Sequence, residues 1–234
     1  QHAAGAENSL GGLAQAYGDN VPILVLPGGY PSASRHVRPN FHASSAWDSV
    51  VKSAETIDSP AQIKNVMRRA FQALRNGNGG PVVVEMTLDI CAMEVPEDAL
   101  DYHSPISSKS TPSKTDIQDA AKQLLSAERP MIWAGAGVLM AQATSELAQL
   151  ASLADIPVFT TMEGKSAYDE RLPLSLGAGS GATTGPAYEW INESDVILGL
   201  GTSFSHNNYT RKVSNGKKVV IHNTINPEEI NKET

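Results

Sequence analysis

A buried strand that runs straight into a glycine turn restricts this chain more than any other stretch of it. Arg129 to Gly137 reads RPMIWAGAG, so the apolar run Met131 to Ala134 meets Gly135-Ala136-Gly137. A helical pattern follows through Ala141 to Ala154, with Leu147, Leu150, Ala151 and Ala154 on one stripe. Ile156 to Thr160 is then a second short apolar strand. Strand, turn, helix and strand in one sheet require a right-handed parallel crossover, so the fold class is α/β. Ligands of such sheets gather outside the carboxyl ends of the strands, and a helix N-terminus after a glycine turn suits a phosphate. The turn is not a dinucleotide fingerprint. Met140 stands where a third glycine is wanted, and Thr160 and Thr161 stand where an acidic residue would close the next strand. A tight turn without a dinucleotide is therefore the favoured reading of these residues alone.

The length of 234 residues allows one large domain or two small ones. Eighteen Lys and Arg against 25 Asp and Glu give a net charge of −7. That charge speaks against nucleic-acid or anionic-membrane partners, since Arg68-Arg69 and Lys217-Lys218 are isolated basic pairs. One cysteine, Cys91, permits neither an internal disulfide nor a cysteine metal cluster, which fits a reducing, cytoplasmic setting. No apolar run is long enough to cross a bilayer, and no signal-peptide pattern opens the stretch. The opening at Gln1 without Met, and the unused helix start Asn226 to Ile230, read as a fragment of a longer polypeptide.

The remaining elements follow from local pattern. Glu7 to Tyr17 is a short helix whose Gly11-Gly12 pair makes sense if a neighbour or ligand approaches its backbone. Val21 to Leu26 is a buried strand, and Pro27 to Val50 is a long loop of functional type. Ser59 to Asn76 is the clearest helix, with Ser59 and Gln62 as a capping box and Ile63, Val66, Met67, Ala70, Phe71 and Leu74 on its buried face. Pro81 to Met86 is a strand buried on both faces. Pro, acidic and Ser residues from Ala92 to Thr115 mark a boundary. A second capping box, Thr115 to Gln118, starts a helix burying Ile117, Ala120, Ala121, Leu124 and Leu125. A glycine-rich run covers Gly177 to Gly185, Pro186 to Asn192 is a helix, and Asp195 to Leu200 and Lys218 to His222 are further strands.

Few residues point to chemistry unaided. His36 and His42 lie in the long loop, and a loop histidine could serve as acid or base. Lys165 follows Gly164 after a strand and could pair a phosphate, while Glu7 and Asn8 open a helix, as caps or as ligand contacts. Asp195, Ser203 and His206 suggest a triad, but no nucleophile elbow surrounds the serine. Neither Gly177 to Gly181 nor Gly164-Lys165-Ser166 completes a phosphate-binding P-loop. No metal-ligand spacing is present.

The order of several blocks resembles the thiamine-diphosphate-dependent enzymes of the acetolactate synthase type. Gly5-Ala6-Glu7-Asn8, Gly12 to Tyr17, Val21 to Val25 and Gly79 to Met86 are similar to the later half of that family's pyrimidine-binding domain. A proline usual in the family before this first block is missing, since Ala3-Ala4-Gly5 stands in its place. Ala127 to Pro130, Ala134 to Val138, Ile156 to Val158, Thr160-Thr161, Gly164-Lys165, Pro173 to Gly177, Ser194 to Leu198, Gly201-Thr202 and Asn226 to Ile230 resemble its central domain.

The resemblance implies two parallel-sheet, three-layer units. Residues 1–95 would be the C-terminal half of the pyrimidine-binding domain, 96–114 a linker, and 115–234 a Rossmann-like central domain. It implies decarboxylation of a 2-oxo acid and carboligation, by a homodimer or homotetramer, with thiamine diphosphate and Mg2+ in the full-length protein. The family's activating glutamate and its metal-binding Gly-Asp-Gly motif are not in this stretch, so the fragment is expected to be inactive alone. Gly5, Asn8 and Phe41 would contact the cofactor, with His42, where the family often has Gln, as an auxiliary catalytic residue. Gly135, Gly137, Thr161, Lys165 and Gly201 would be cofactor-binding positions of the central domain. Flavin-holding members carry Gly-Ala-Arg-Phe where this chain has Gly201-Thr202-Ser203-Phe204, which argues against FAD. Other members hold ADP or nothing there. Another thiamine-diphosphate lyase or decarboxylase, or a non-catalytic nucleotide-binding module, are the alternatives.

Overall fold

The computed structural model describes residues 2–206, 210, 212, 213 and 218–232. Gln1 and Lys217, named above, lie outside the described residues. The chain divides into two compact units, Gln1–Lys109 and Ser110–Thr234.

In the first unit β1 (Leu24–Val25), β2 (Gly28–Gly29) and β3 (Ser53–Ile57) all pair in parallel with β4 (Val82–Thr87). Val82 is in register with both Leu24 and Ser53, and Met86 with both Gly28 and Ile57, so β4 is flanked on two edges. Its consecutive valines suit that central place. Because side chains alternate along a strand, Val82 and Val84 join Ile57, Val66, Ala70 and Ile90 in one cluster. Val83 joins Ala6, Leu13, Ala43, Trp47 and Val51 in the other. Glu85 shares the parity of Val83 and is 1% exposed. Helical segments thus cover both faces, in three layers.

Several local expectations change here. The strand expected buried over Val21 to Leu26 is a short, broken edge, and Val21 and Leu26 are 40% and 47% exposed. β3 was not legible, because Ser-Ala-Glu-Thr-Ile is half polar and half buried. The helix runs Ile63–Arg75 behind a single 3-10 turn, and Ser59 makes no cap bond. Gln62 Oε1 accepts instead from the amide of Asp58, the residue before the N-cap, at 3.1 Å, so the expected capping box does not form. Residues 105–108, within the expected linker, hydrogen-bond to Arg75 and Asn76 at the end of that helix.

That helix end rests on one ammonium. Lys52 Nζ donates to the carbonyls of Ala73, Asn76 and Asn78 at 2.5, 2.6 and 2.5 Å. Carbonyls at a helix C-terminus lack intrahelical partners and carry partial negative charge, so a cation there is doubly favoured. Burial holds the Lys52 pKa below the usual lysine value. Lys52→Met keeps the stem but removes three donors, and is expected to cost about 2 kcal/mol in denaturant unfolding.

The second unit is a five-stranded parallel sheet of β5 (Pro130–Ala134), β6 (Val158–Thr161), β7 (Ser175–Gly179), β8 (Val196–Leu200) and β9 (Val219–Asn223). The order is β7-β6-β5-β8-β9, so the chain reverses direction across the sheet between β5 and β8. Ile132, Ala134, Val158 and Leu198 pack with Leu147 and Ala151 of the helix Thr144–Ala154. Met131, Trp133, Phe159 and Ile197 pack on the opposite face with Ala187 and Ile191 of the helix Gly185–Glu193. The parallel α/β class expected from the turn is the one observed.

The helix expected from Ala141 is corrected. A one-turn helix, Ala136–Met140, follows the glycine turn, and the longer helix starts only at Thr144. Gln142 between them has φ 56° and ends the first segment. The glycine-rich run begins inside β7, which low β propensity had hidden. The helix Lys114–Ser126 is capped by Ser113 Oγ, which accepts from the Asp116 amide, and not by Thr115. None of its residues is buried: Ile117 and Leu125 are 54% and 83% exposed.

Asp195 ties two segments of this unit. Its carboxylate accepts from the amides of Glu128 and Arg129 at 2.8 and 2.9 Å. Burial pushes its pKa up, but those amides and the backbone amides of Asp195 and Val196 outweigh it and hold the carboxyl below the usual range. A carboxyl depressed in the folded state contributes stability above its unfolded pKa and loses it as pH falls through the folded value. Asp195→Asn is therefore expected to flatten the acid limb of the stability profile below about pH 4. Thermal unfolding of both proteins across that range measures it.

Candidate functional site

The 3-10 segment Ala3–Ser9 lies beside the broken edge strand, as the parallel bridge between His2 and Gly28 shows. A cavity of about 320 Å³ opens there, lined by Gly5, Ala6, Asn8, Ser9, Val25, Leu26, Pro27 and Trp47. Two expected cofactor contacts, Gly5 and Asn8, are thus brought to one cavity. Phe41 is half-buried and packs on Trp47, with ring centroids 6.3 Å apart. The Trp47 indole Nε1 is buried and has no hydrogen-bond partner among the described residues.

His42 immediately precedes the one-turn helix Ala43–Ala46, accepting the Ala46 amide on its carbonyl at 2.9 Å. That helix is fastened to the sheet by Glu85. Its Oε2 accepts from the Ser44 amide at 3.0 Å and from Ser44 Oγ at 2.6 Å. The other oxygen, Oε1, stands 3.9 Å from His42 Nδ1, which is buried and has no hydrogen-bond partner among the described residues. Ser44 Oγ is 2.9 Å from Thr56 Oγ1, and Arg35 Nη2 donates to that Thr56 oxygen at 2.8 Å. Arg35, Ser44 and Thr56 also line a second cavity of about 360 Å³. Room for the Glu85 carboxylate exists because residue 29 is glycine, where a Cβ would stand 2.9 Å from Oε1.

Glu85, Ser44 and Trp47 were missed in the sequence. One signal was present: Glu85 is a charged residue inside an apolar strand, and charged residues are almost never fully buried without a partner. The two histidines part ways: His36 is exposed on the loop, whereas His42 is half-buried against the sheet. Glu7 is exposed.

In the second unit Gly135, Gly137 and Gly201 meet where the strand order reverses. The Gly135 amide donates to the Leu200 carbonyl and the Gly137 amide to the Gly201 carbonyl, each at 2.9 Å. A Cβ on Gly137 would stand 2.6 Å from Gly201 Cα, and one on Gly164 would stand 2.7 Å from the Gly135 carbonyl carbon. The Gly135 and Gly137 amides are thus paired within the unit, and the glycines let three turns touch. Thr161 Oγ1 accepts from the Gly164 amide at 3.0 Å, and Lys165 pairs with Glu170 at 2.7 Å. Phe204 folds back over Gly199 and packs on Trp133 and His222. Asp195 precedes β8 and Ser203 follows it, so the strand separates the members of a triad. Among the described residues no three His, Cys, Asp or Glu side chains gather to hold a metal, and no helix is long and apolar enough to cross a membrane.

Comparison with known proteins places these features. Residues 117–234 match the central domain of thiamine pyrophosphate enzymes. A probable acetolactate synthase large subunit of Methanococcus aeolicus is 34% identical over 97% of this chain and 39% of its own length. Glyoxylate carboligase of Escherichia coli O157:H7 is 33% identical over 93% of this chain and 37% of its own. The acetolactate synthase large subunit of Cyanidium caldarium is 30% identical over 97% and 40%. The chain spans about two-fifths of the length of these relatives.

Proposed function

Because the chain belongs to the thiamine pyrophosphate enzyme family, we propose that it is a segment of a carboligase of the acetolactate synthase type, acting on a 2-oxo acid. The observation that carries this reading is the cavity at Gly5 and Asn8. An aminopyrimidine needs apolar faces and hydrogen-bonding partners at its edge. Val25, Leu26, Pro27 and Trp47 supply the apolar walls, and Gly5 and Ala6 line the cavity with little or no side chain. Asn8 supplies an amide, and the Trp47 indole N–H is unpartnered among the described residues. These residues fit the pyrimidine end of thiamine diphosphate. When bound, that cofactor supplies the nucleophilic carbon and the electron sink for decarboxylation. Gly5, Asn8 and Phe41 hold and orient it, and His42 moves or holds a proton beside it.

We assign the diphosphate and Mg2+ to polypeptide outside this chain. The first unit, over 1–95, is read as part of the pyrimidine-binding domain, followed by a linker over 96–114 and the central domain over 115–234. Gly135, Gly137, Thr161, Lys165 and Gly201 are assigned as the positions that would approach a nucleotide in members that carry one. FAD is not assigned, because no arginine follows Gly201-Thr202. The working form is a cytoplasmic homodimer or homotetramer with no nucleic-acid or membrane partner. The relatives include both acetolactate synthases and a glyoxylate carboligase, so the substrate is assigned only as a 2-oxo acid.

The test is turnover of pyruvate and of glyoxylate with thiamine diphosphate and Mg2+. The full-length enzyme should form a carboligation product, and the 234-residue chain alone should form none. Product from the chain alone would overturn the division of the site.

A further inference from the structure

The hydrogen bonds around Glu85 have a forced direction. Arg35 has only donors, so Thr56 Oγ1 must accept from it. The single hydroxyl proton of Thr56 is then free to go to Ser44 Oγ, 2.9 Å away. Ser44 in turn gives its own proton to Glu85 Oε2 at 2.6 Å, beside its amide at 3.0 Å. Every donor in this chain points inward, and Glu85 ends it as an acceptor. Its remaining oxygen stands 3.9 Å from a buried ring nitrogen, His42 Nδ1, that has no hydrogen-bond partner among the described residues.

We propose that Glu85 is a positioning residue that fixes His42 as its Nδ1–H tautomer, leaving Nε2 as the nitrogen that accepts or delivers a proton. A neutral imidazole carries its proton on one nitrogen only, and the hydrogen bond made by one nitrogen decides the state of the other. The carboxylate can only accept, so a hydrogen bond formed by closing the 3.9 Å gap between Oε1 and Nδ1 has Nδ1 as its donor. Nδ1 is buried while the His42 side chain keeps 21% of its surface exposed, so the accessible part of the side chain lies away from Glu85. The inference deepens the proposed function, since it specifies the proton state of the residue placed beside the cofactor. Gly29 belongs to the same device, because any larger residue would press on Oε1.

The tautomer is read directly from 15N spectra of the chain carrying 15N-labelled histidine, at about pH 8 where imidazole is neutral. Six histidines contribute, and His42→Gln identifies the His42 signals by their loss. The expected wild-type result is a protonated Nδ1 and a bare Nε2. In Glu85→Gln the amide oxygen can keep both Ser44 donors, which turns the amide NH2 toward Nδ1. The proton should then move to Nε2. A wild-type His42 protonated on Nε2 overturns the proposal without any variant, and so does a Glu85→Gln spectrum that keeps Nδ1–H. In the full-length enzyme Glu85→Gln should lower kcat with little change in KM. An Nε2–H tautomer beside intact thiamine-dependent turnover sinks the pairing and spares the family reading. The Nδ1–H tautomer without turnover supports the pairing and sinks the catalytic reading.

Discussion

Gly137→Ala is expected to destabilise the second unit by about 3 kcal/mol or more, enough to unfold a marginal domain. The added Cβ would stand 2.6 Å from Gly201 Cα and 2.9 Å from its carbonyl oxygen. Both are backbone atoms at the end of a central strand, so neither can give way as a flexible side chain would. Gly201→Ala meets the same obstacle from the other side, at 2.6 Å from Gly137 Cα, and adds the strain of φ 57°. The control is Gly12→Ala in the helix Leu10–Gly18, where a Cβ meets nothing within 4 Å. There alanine should stabilise by about 0.5–1 kcal/mol through the unfolded chain. The two units need not unfold together, so hydrogen exchange or limited proteolysis should localise the loss to Ser110–Thr234. A Gly137→Ala protein as stable as the parent would mean that the turns are not in contact.

The parts of the fold that were legible are those where one local rule dominates. RPMIWAGAG announced a central parallel strand because burial on both faces leaves an unbroken apolar run. β3 and β7 were not legible for the opposite reason. Ser53–Ile57 is half polar and Ser175–Gly179 is nearly half glycine, and pairing with β4 and β6 decides their state. The glycine turn was legible as a tight turn, but its contact with the Gly201 turn of the same unit was not. Gly201 lies far along the chain from Gly137, so nothing local could say so. At the candidate site Gly5, Asn8 and His42 came from family wording, whereas Glu85 could have been found from physics alone. A glutamate after three valines demands partners, though only the fold shows that they are the Ser44 amide and hydroxyl, backed by Thr56 and Arg35 behind Ser44.

That demand makes Glu85→Leu the second large effect, with an expected cost of about 3 kcal/mol. Leucine suits a strand interior, and replacing a buried charge by a hydrophobe is often neutral when its whole network goes too. Here only one member goes. The Ser44 amide and hydroxyl lose their acceptor in a site where Ser44 is 9% exposed, and each unsatisfied buried donor costs about 1–3 kcal/mol. The backbone amide cannot be mutated away, but the hydroxyls can. Glu85→Leu combined with Ser44→Ala and Thr56→Val should therefore recover part of the loss, leaving a coupling of about 1 kcal/mol or more between the sites. Glu85→Gln keeps an acceptor and should cost less than Glu85→Leu alone. Trp47 packs on the same face of the sheet and reports the first unit, so its fluorescence during urea unfolding follows all three variants. If the single and triple replacements are equally destabilised, burial of the Glu85 stem and not its hydrogen-bond chain holds the helix Ala43–Ala46 to β4.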